Sequence, residues 1–207
     1  MVTVRSYTLD DYEGLLLIQQ EAFPPPFPED LWWSREEIAA HVETFPEGAM
    51  IAFVDGEPAA SATALRTNLD GWHTWAEISD NGMIRGTHQP DGDTLYGIDV
   101  CVRPAYRGRG AADALYTARK ELVQKLGLRR YAAVCRIPGF AESGMDVESY
   151  VEAVASGKKK DPVLSFMIRQ GLTVTDIVPD YLDDEESGHY GVQVEWYPPD
   201  GTPRRNR

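Results

Sequence analysis

The residue types best suited to chemistry are concentrated in residues 102–112, VRPAYRGRGAA. A strand pattern ends at Pro104, a turn of Arg107, Gly108, Arg109 and Gly110 follows, and a helical pattern opens at Ala111. The first N–H groups of a helix have no partner within it, and the helix dipole adds positive potential at the same place. Glycine lets the backbone approach a bulky anion, and the two arginines offer charge for phosphates. In this order these residues make an anion cradle at a helix start. The run is not a P-loop, since GxxxxGKS/T is absent, and GRGAAD lacks the third glycine of a dinucleotide fingerprint. The competing account is an ordinary strand–helix turn with surface arginines.

The elements that must position this turn can be read on either side of it. Residues 1–7 alternate as a strand with Val2 and Val4 on one side. Thr8 with Asp11 reads as a capping box, opening a helix to about Phe23 with Tyr12, Leu15, Ile18 and Ala22 inward and Pro24, Pro25 and Pro26 as its stop. Ser34 with Glu37 opens a second, short helix. Residues 49–54 and 58–66 read as strands joined at Asp55-Gly56. Residues 94–103 form the strand before the turn, 111–126 the helix after it, with Leu115, Ala118, Leu122 and Leu126 on one stripe, and 131–136 the next strand. Strand, helix and strand at this spacing predict a parallel pair. Asp146 caps a helix carrying Val147, Tyr150, Val151 and Val154, and Asp161-Pro162 starts another that runs to Gln170. Strands 172–178 and 190–197 follow, joined by an acidic hairpin, 180–187; the tail 198–207 is polar. The connection 68–93 shows no regular element and carries Trp72, His73, Trp75 and His88. A loop of that length is expected to serve function, or to close its tryptophans over the core.

Bulk composition narrows the function classes. The chain has 207 residues, 43% hydrophobic and 26% charged, which suits one large α/β domain. Its net charge of −13 argues against nucleic acid and acidic membranes as partners and is compatible with cationic substrates. No apolar stretch approaches the about 18 residues that a membrane helix needs, and the first residues lack the apolar core of a signal peptide. The cytoplasm is the expected compartment. Cys101 and Cys135 sit in apolar runs and read as buried thiols rather than as a disulfide or a nucleophile. No metal site is expected.

Val-x-Pro-x-x-Arg-Gly-x-Gly-x-Ala, with Arg107, Gly110 and Ala112 as its core, resembles the acetyl-coenzyme A signature of the GNAT acetyltransferase superfamily. The order of predicted elements resembles that superfamily over nearly the whole chain. The stretches FPEGAM, DTLYGIDVCVRPAYRGRG, CRIPGF, DPVLSF, PDYLDDEESGHYGV and EW resemble one branch of it, which occurs alone and also fused to nitrilase-like carbon–nitrogen hydrolase domains. The chain ends soon after EW, which predicts that the hydrolase is not part of it and leaves a separately encoded one as a partner. A homodimer is equally compatible. The resemblance implies an α/β (α+β) GNAT fold: a single domain over residues 1–197, with a central mixed, twisted sheet of about seven strands and helices on both faces. Segments 68–93 and 139–160 would then be insertions over the acceptor side.

The resemblance also implies roles. The backbone from Arg107 through Gly108, Arg109, Gly110 and Ala111 to Ala112 would hold the pyrophosphate of acetyl-CoA. The strand 99–102, with Val100, Cys101 and Val102, would pair with the pantetheine arm and polarise the thioester carbonyl. Arg136, Phe140 and Trp75, with Trp72, would line the acceptor side. Members often place a carboxylate on this strand as general base. Asp99 lies near that place, on the opposite face from Val100 and Val102 by alternation, and reads equally as that base or as a structural carboxylate. Members also often carry a tyrosine four residues before a Gly-Phe pair, where it protonates the leaving thiolate. The pair here is Gly171-Leu172 and the position holds Met167, which has no proton to give; the acid is then water or another residue, with Tyr150, Tyr181 and Tyr190 as candidates that the motif does not place. The expected activity is transfer of an acetyl group from acetyl-CoA to the primary amine of a small acceptor by direct attack. The alternative is a non-catalytic acyl-CoA sensor or partner subunit.

Overall fold

A computed structural model describes residues 1–25 and 29–199. The expected stop at Pro26 and all but the first two residues of the polar tail lie outside the described residues. The strands are β1 (Val2–Ser6), β2 (Ala49–Val54), β3 (Glu57–Thr67), β4 (Thr94–Val102), β5 (Arg130–Cys135), β6 (Thr173–Val178) and β7 (Gly191–Trp196). The helices are α1 (Tyr12–Ala22), α2 (Arg35–Thr44), α3 (Trp75–Ser79), α4 (Ala111–Lys125), α5 (Val147–Ala155) and α6 (Leu164–Arg169). The seven strands form one sheet in the order β1-β2-β3-β4-β5-β7-β6. Every neighbouring pair is antiparallel except β4 and β5, which are parallel, as the α4 crossover between them requires.

Local signals set most boundaries. The Ser34 hydroxyl accepts the Glu37 amide at 3.2 Å and starts α2. The Thr8–Asp11 box is also formed, but it opens a 3-10 turn that precedes α1. Along α1, Leu15 and Ile18 are buried, whereas Tyr12 and Ala22 are half-buried. The Asp161 carboxylate accepts the Val163 and Leu164 amides, both at 2.9 Å, so α6 begins three residues after its capping side chain.

One element was not expected. The connection 68–93 contains α3, capped by the Thr74 hydroxyl on the Glu77 amide at 3.1 Å. Five residues are too short to show a helical period, and the capping pair was the readable signal. After α3 the chain turns through Asp80, Asn81, Gly82 and Ile84, all at positive φ. For a β-branched residue such as Ile84 (φ 55°) this is strained. The turn is held by full burial of Ile84 and by the Gly82 carbonyl, which accepts from His41 Nε2 at 2.6 Å. Ile78 and Ile84 join the core, as do Val147, Tyr150, Val151 and Val154 of α5. Cys101 and Cys135 are buried free thiols.

Two irregularities of the sheet matter most. Thr63 pairs with Asp99 but Ala64 pairs with Gly97, so Ile98 is an extra residue in β4 and a β-bulge sits mid-strand. In addition, β4 and β5 pair only from Thr94–Arg130 to Gly97–Ala133. Beyond that point the two parallel strands separate.

Candidate active site

The separation leaves residues 98–102 of β4 without a strand partner on the β5 side, while β5 stays bonded to β7 through Cys135. The opening leads to the start of α4. There Gly110 is the N-cap at φ 86°, preceded by Gly108 at φ 74°. These are left-handed conformations that a residue with a Cβ enters at a cost. Among the described residues, the amides of Gly108, Gly110, Ala111, Ala112 and Asp113 donate to no protein acceptor. A Cβ on Gly108 would meet nothing within 4 Å. The turn is therefore an open concavity of unpaired donors at a helix N-terminus, and its chemistry suits a pyrophosphate.

The predicted cofactor arginines differ in what holds them. Arg107 is exposed. Arg109 donates to Asp55 Oδ2 at 2.7 Å and lies over the Tyr106 ring, which also carries Arg103. The Arg109–Asp55 pair is at the surface, where such pairs contribute little.

On the other side of the sheet the bulge organises a second group of side chains. Asp99 Oδ1 accepts the Thr63 amide at 2.9 Å, and Oδ2 lies 3.4 Å from Trp33 Nε1 and 3.5 Å from Cys101 Sγ. The extra residue explains how Asp99 reaches the Trp33 side. Simple alternation puts Gly97 and Asp99 on one face, and a bulge between them reverses it. Gly97 thus faces α4, where a Cβ would come within 2.9 Å of Arg119 Nη1. The Ile98 carbonyl accepts from Trp75 Nε1 at 2.9 Å, and Trp75 stacks on Trp33 with ring centroids 6.3 Å apart.

Burial raises the Asp99 carboxyl above its ordinary value, opposed by the charge of Arg119, by His41 and by bonds from Cys101 and Thr63. The group remains partly accessible. His41 is buried, and burial lowers its pKa, so it is neutral. Its tautomer follows from its partners. The Gly82 carbonyl can only accept, so Nε2 carries the proton and Nδ1 accepts from the Tyr7 hydroxyl at 2.9 Å; Tyr7 in turn accepts from Thr63 Oγ1 at 2.8 Å.

The residues expected to line the acceptor side come together through a segment that the sequence reading treated only as a hairpin. Within residues 179–190, the Tyr181 carbonyl accepts the Trp75 amide at 2.9 Å, Asp184 accepts Arg136 Nε and Nη2 at 2.5 and 2.7 Å, and Tyr190 packs edge-on against Phe140. Arg136 also donates to Glu186 at 2.8 Å. Trp72 is 59% exposed and donates to Asp176 of β6 at 2.7 Å. Two of the other candidate tyrosines have hydroxyl partners of their own: Tyr150 donates to Asp161 at 2.7 Å, and the Tyr181 and Tyr96 hydroxyls bond at 2.8 Å. Met167 is 9% exposed, and its sulfur accepts from the Tyr116 hydroxyl at 2.9 Å. Trp33, Thr63, Tyr116 and Arg119 were missed by the sequence reading, because each belongs to an ordinary apolar or helical pattern.

A mixed seven-stranded sheet that opens between two parallel strands, onto a glycine-arginine helix start, is the arrangement expected of a GNAT fold. Residues 12–139 match the family model described as Acetyltransferase (GNAT) family, and the chain belongs to that family. It is 42% identical over 200 residues to the uncharacterized N-acetyltransferase YkwB of Bacillus subtilis (strain 168), covering 94% of this chain and 88% of that protein. It is 36% identical over 212 residues to the probable hydrolase YhcX of the same organism, where it spans all of this chain but only 40% of the relative. Among solved structures, the loading GNATL domain of CurA from Lyngbya majuscula superposes with a TM-score of 0.80 at 18% identity, covering 95% of this chain and 98% of that one. The GphF GNAT-like decarboxylase in complex with isobutyryl-CoA gives 0.72 at 22% identity, covering 94% and 98%. At these identities the two structures establish the shared fold. Among the described residues no helix is long and apolar enough to cross a membrane.

Proposed function

We propose that this acyltransferase moves an acetyl group from acetyl-CoA to the primary amine of a small, cationic acceptor by direct attack. The observation that carries the reading is the opening between β4 and β5, which ends at the unpaired amides of Gly108 and of residues 110–113; the Arg107 and Arg109 amides are taken by the Pro104 and Tyr106 carbonyls. Those amides take the pyrophosphate. The free edge of β4 at Val100, Cys101 and Val102 pairs with the pantetheine arm and turns an N–H toward the thioester carbonyl, where negative charge develops. Asp99, on the opposite face, takes the proton from the attacking amine; burial raises its pKa, the direction that makes a carboxylate a stronger base. Holding both substrates against β4 supplies much of the rate. The leaving thiolate takes its proton from water. An isobutyryl-CoA complex of a protein sharing this fold is in keeping with an acyl-CoA in that opening.

Segments 68–93, 139–160 and 179–190 enclose the acceptor side, with Trp75, Arg136 and Phe140 on its walls. The third segment carries Asp180, Asp183, Asp184, Glu185 and Glu186, and the chain as a whole has a charge of −13. Both favour a cationic acceptor. The match to part of YhcX makes a hydrolase of that kind the partner to test alongside a homodimer.

The test is thiol release from acetyl-CoA with polyamines, amino acids, aminoglycosides and lysine-containing peptides. Turnover with the small amines is expected, and turnover confined to peptides would overturn the small-molecule reading. A second reading, an acyl-CoA-binding sensor or partner subunit, is favoured by Met167 standing where an acid is expected. It requires coenzyme A binding with no amine-dependent turnover.

A further inference from the structure

Arg119 is 1% exposed, in the middle of α4, beneath the bulge. Its Nη2 donates to the carbonyls of Thr63 at 2.8 Å and Asp99 at 2.9 Å, the two residues paired where the register breaks. Its Nη1 donates to the Tyr131 hydroxyl at 2.8 Å, and Gly97 leaves the space that this pair fills. Nε has no partner among the described residues, so the guanidinium is not neutralised by a bidentate carboxylate. A buried arginine stays charged and is costly without a compensating anion. The groups around Asp99 are Cys101 on β4, Thr63 on β3, Tyr7 after β1, Trp33 before α2, His41 on α2, Tyr131 on β5 and Arg119 on α4. Within that set Arg119 is the permanent charge, His41 being neutral.

We propose that Arg119 is a positioning residue for acetyl transfer: it clamps the bulge that turns the Asp99 carboxyl toward the acceptor side, and it supplies the buried positive charge that balances that carboxyl. The proposal rests on the reading of Asp99 as base. The clamp works because a bulge strips backbone groups of their ladder partners and buried groups must be bonded. Arg119 takes the Thr63 and Asp99 carbonyls from one side, while the Asp99 side chain takes the Thr63 amide.

Two substitutions separate clamp from charge. Arg119→Gln keeps amide donors and loses the charge; Arg119→Lys keeps the charge and loses the fork. The Trp33 indole N–H bonds Asp99, so its 15N–1H cross-peak, assigned by its loss in Trp33→Phe, reports the carboxyl titration without turnover. In Arg119→Gln the midpoint should rise by about one pH unit or more, with the acid limb of kcat/KM following it. In Arg119→Lys the midpoint should stay within about 0.3 unit while kcat falls about tenfold, and coenzyme A affinity by calorimetry should change less than threefold. Tyr131→Phe, which removes only the hydroxyl anchoring Nη1, is the milder variant should the others not fold; a fall in kcat with affinity kept is expected. An unmoved midpoint in Arg119→Gln, or unchanged kcat in Arg119→Lys and Tyr131→Phe while Asp99→Asn is impaired, would overturn the proposal. If Asp99→Asn itself keeps its rate, the base reading falls, and the Trp33 midpoint alone then decides whether Arg119 balances the carboxyl.

Discussion

Asp99 and Thr63 face each other at the step where β3 and β4 change register, and the Asp99 carboxylate accepts the Thr63 amide at 2.9 Å. A side chain thus replaces a backbone bond that the bulge removes. The same carboxylate turns its second oxygen toward Trp33 Nε1 and Cys101 Sγ. One oxygen holds the strand, and the other is the one proposed to take a proton.

Asp99→Asn should therefore retain the fold, because an amide oxygen still accepts from Thr63, and should lower turnover by roughly 10²-fold or more while coenzyme A affinity holds. Burial raises the wild-type pKa, so the basic form is lost on acidification at a higher pH than for an exposed aspartate. The acid limb of the wild-type kcat/KM profile should lie above the usual carboxylate range and be absent in the variant. A loss below threefold assigns Asp99 to structure.

Gly110→Val tests the anion cradle. Its φ of 86° is strained for any β-branched residue, at about 1–3 kcal/mol. The protein itself leaves room for the side chain, since the nearest atom to a Cβ is Val2 Cγ2 at 3.9 Å. A folded but less stable variant with coenzyme A affinity reduced at least about tenfold, worth 1.4 kcal/mol, is expected by calorimetry. Unaltered affinity in the folded variant places the cofactor elsewhere.

Gly97→Ala should damage the site from behind. The added methyl meets the Tyr131 hydroxyl and Arg119 Nη1, both buried and bonded to each other. Overpacking of this kind costs about 1–3 kcal/mol, read as a lower Tm. Turnover should fall more than coenzyme A affinity, since the disturbed groups lie under Asp99 rather than at the start of α4.

Asp184 gives the clearest pH signature in stability. Burial raises its pKa, but bonds from Arg136 and Ser187 outweigh that and hold it below the ordinary carboxylate value. A depressed folded-state pKa means the stabilisation is complete above the unfolded pKa, about 3.9, and is lost as pH falls through the folded value. Wild-type stability should drop on acidification below about pH 4, and Asp184→Asn should be less stable at neutral pH with a shallower acid decline. Parallel curves for the two proteins would remove Asp184 from the account.

Much of the fold was legible because it rests on local rules. The capping pairs at Ser34, the proline after α1, the apolar stripe of α4 and the alternation of β2 to β5 each follow from one short stretch of chain. The RGRG turn was legible for the same reason: a helix start and two glycines make an anion cradle wherever they stand. What holds Arg136, Phe140 and Trp75, the residues expected on the acceptor side, was not legible, because their support, residues 179–190, reaches them from the far end of the chain.

By itself the sequence determined the order of the strands and longer helices, the parallel β4–β5 pair and the glycine-arginine turn at the start of α4, since all three depend on residues close in the chain. The tertiary structure alone decided what surrounds Asp99. Alternation placed its side chain opposite Val100 and Val102; the bulge at Ile98 decided that this face is the one of Trp33, and the buried charge of Arg119 came to lie behind it. A bulge is a mismatch in register between two strands, so no single strand encodes it. The electrostatics of this carboxylate depend, besides Cys101 on its own strand, on groups from six separate places in the chain that only folding brings together.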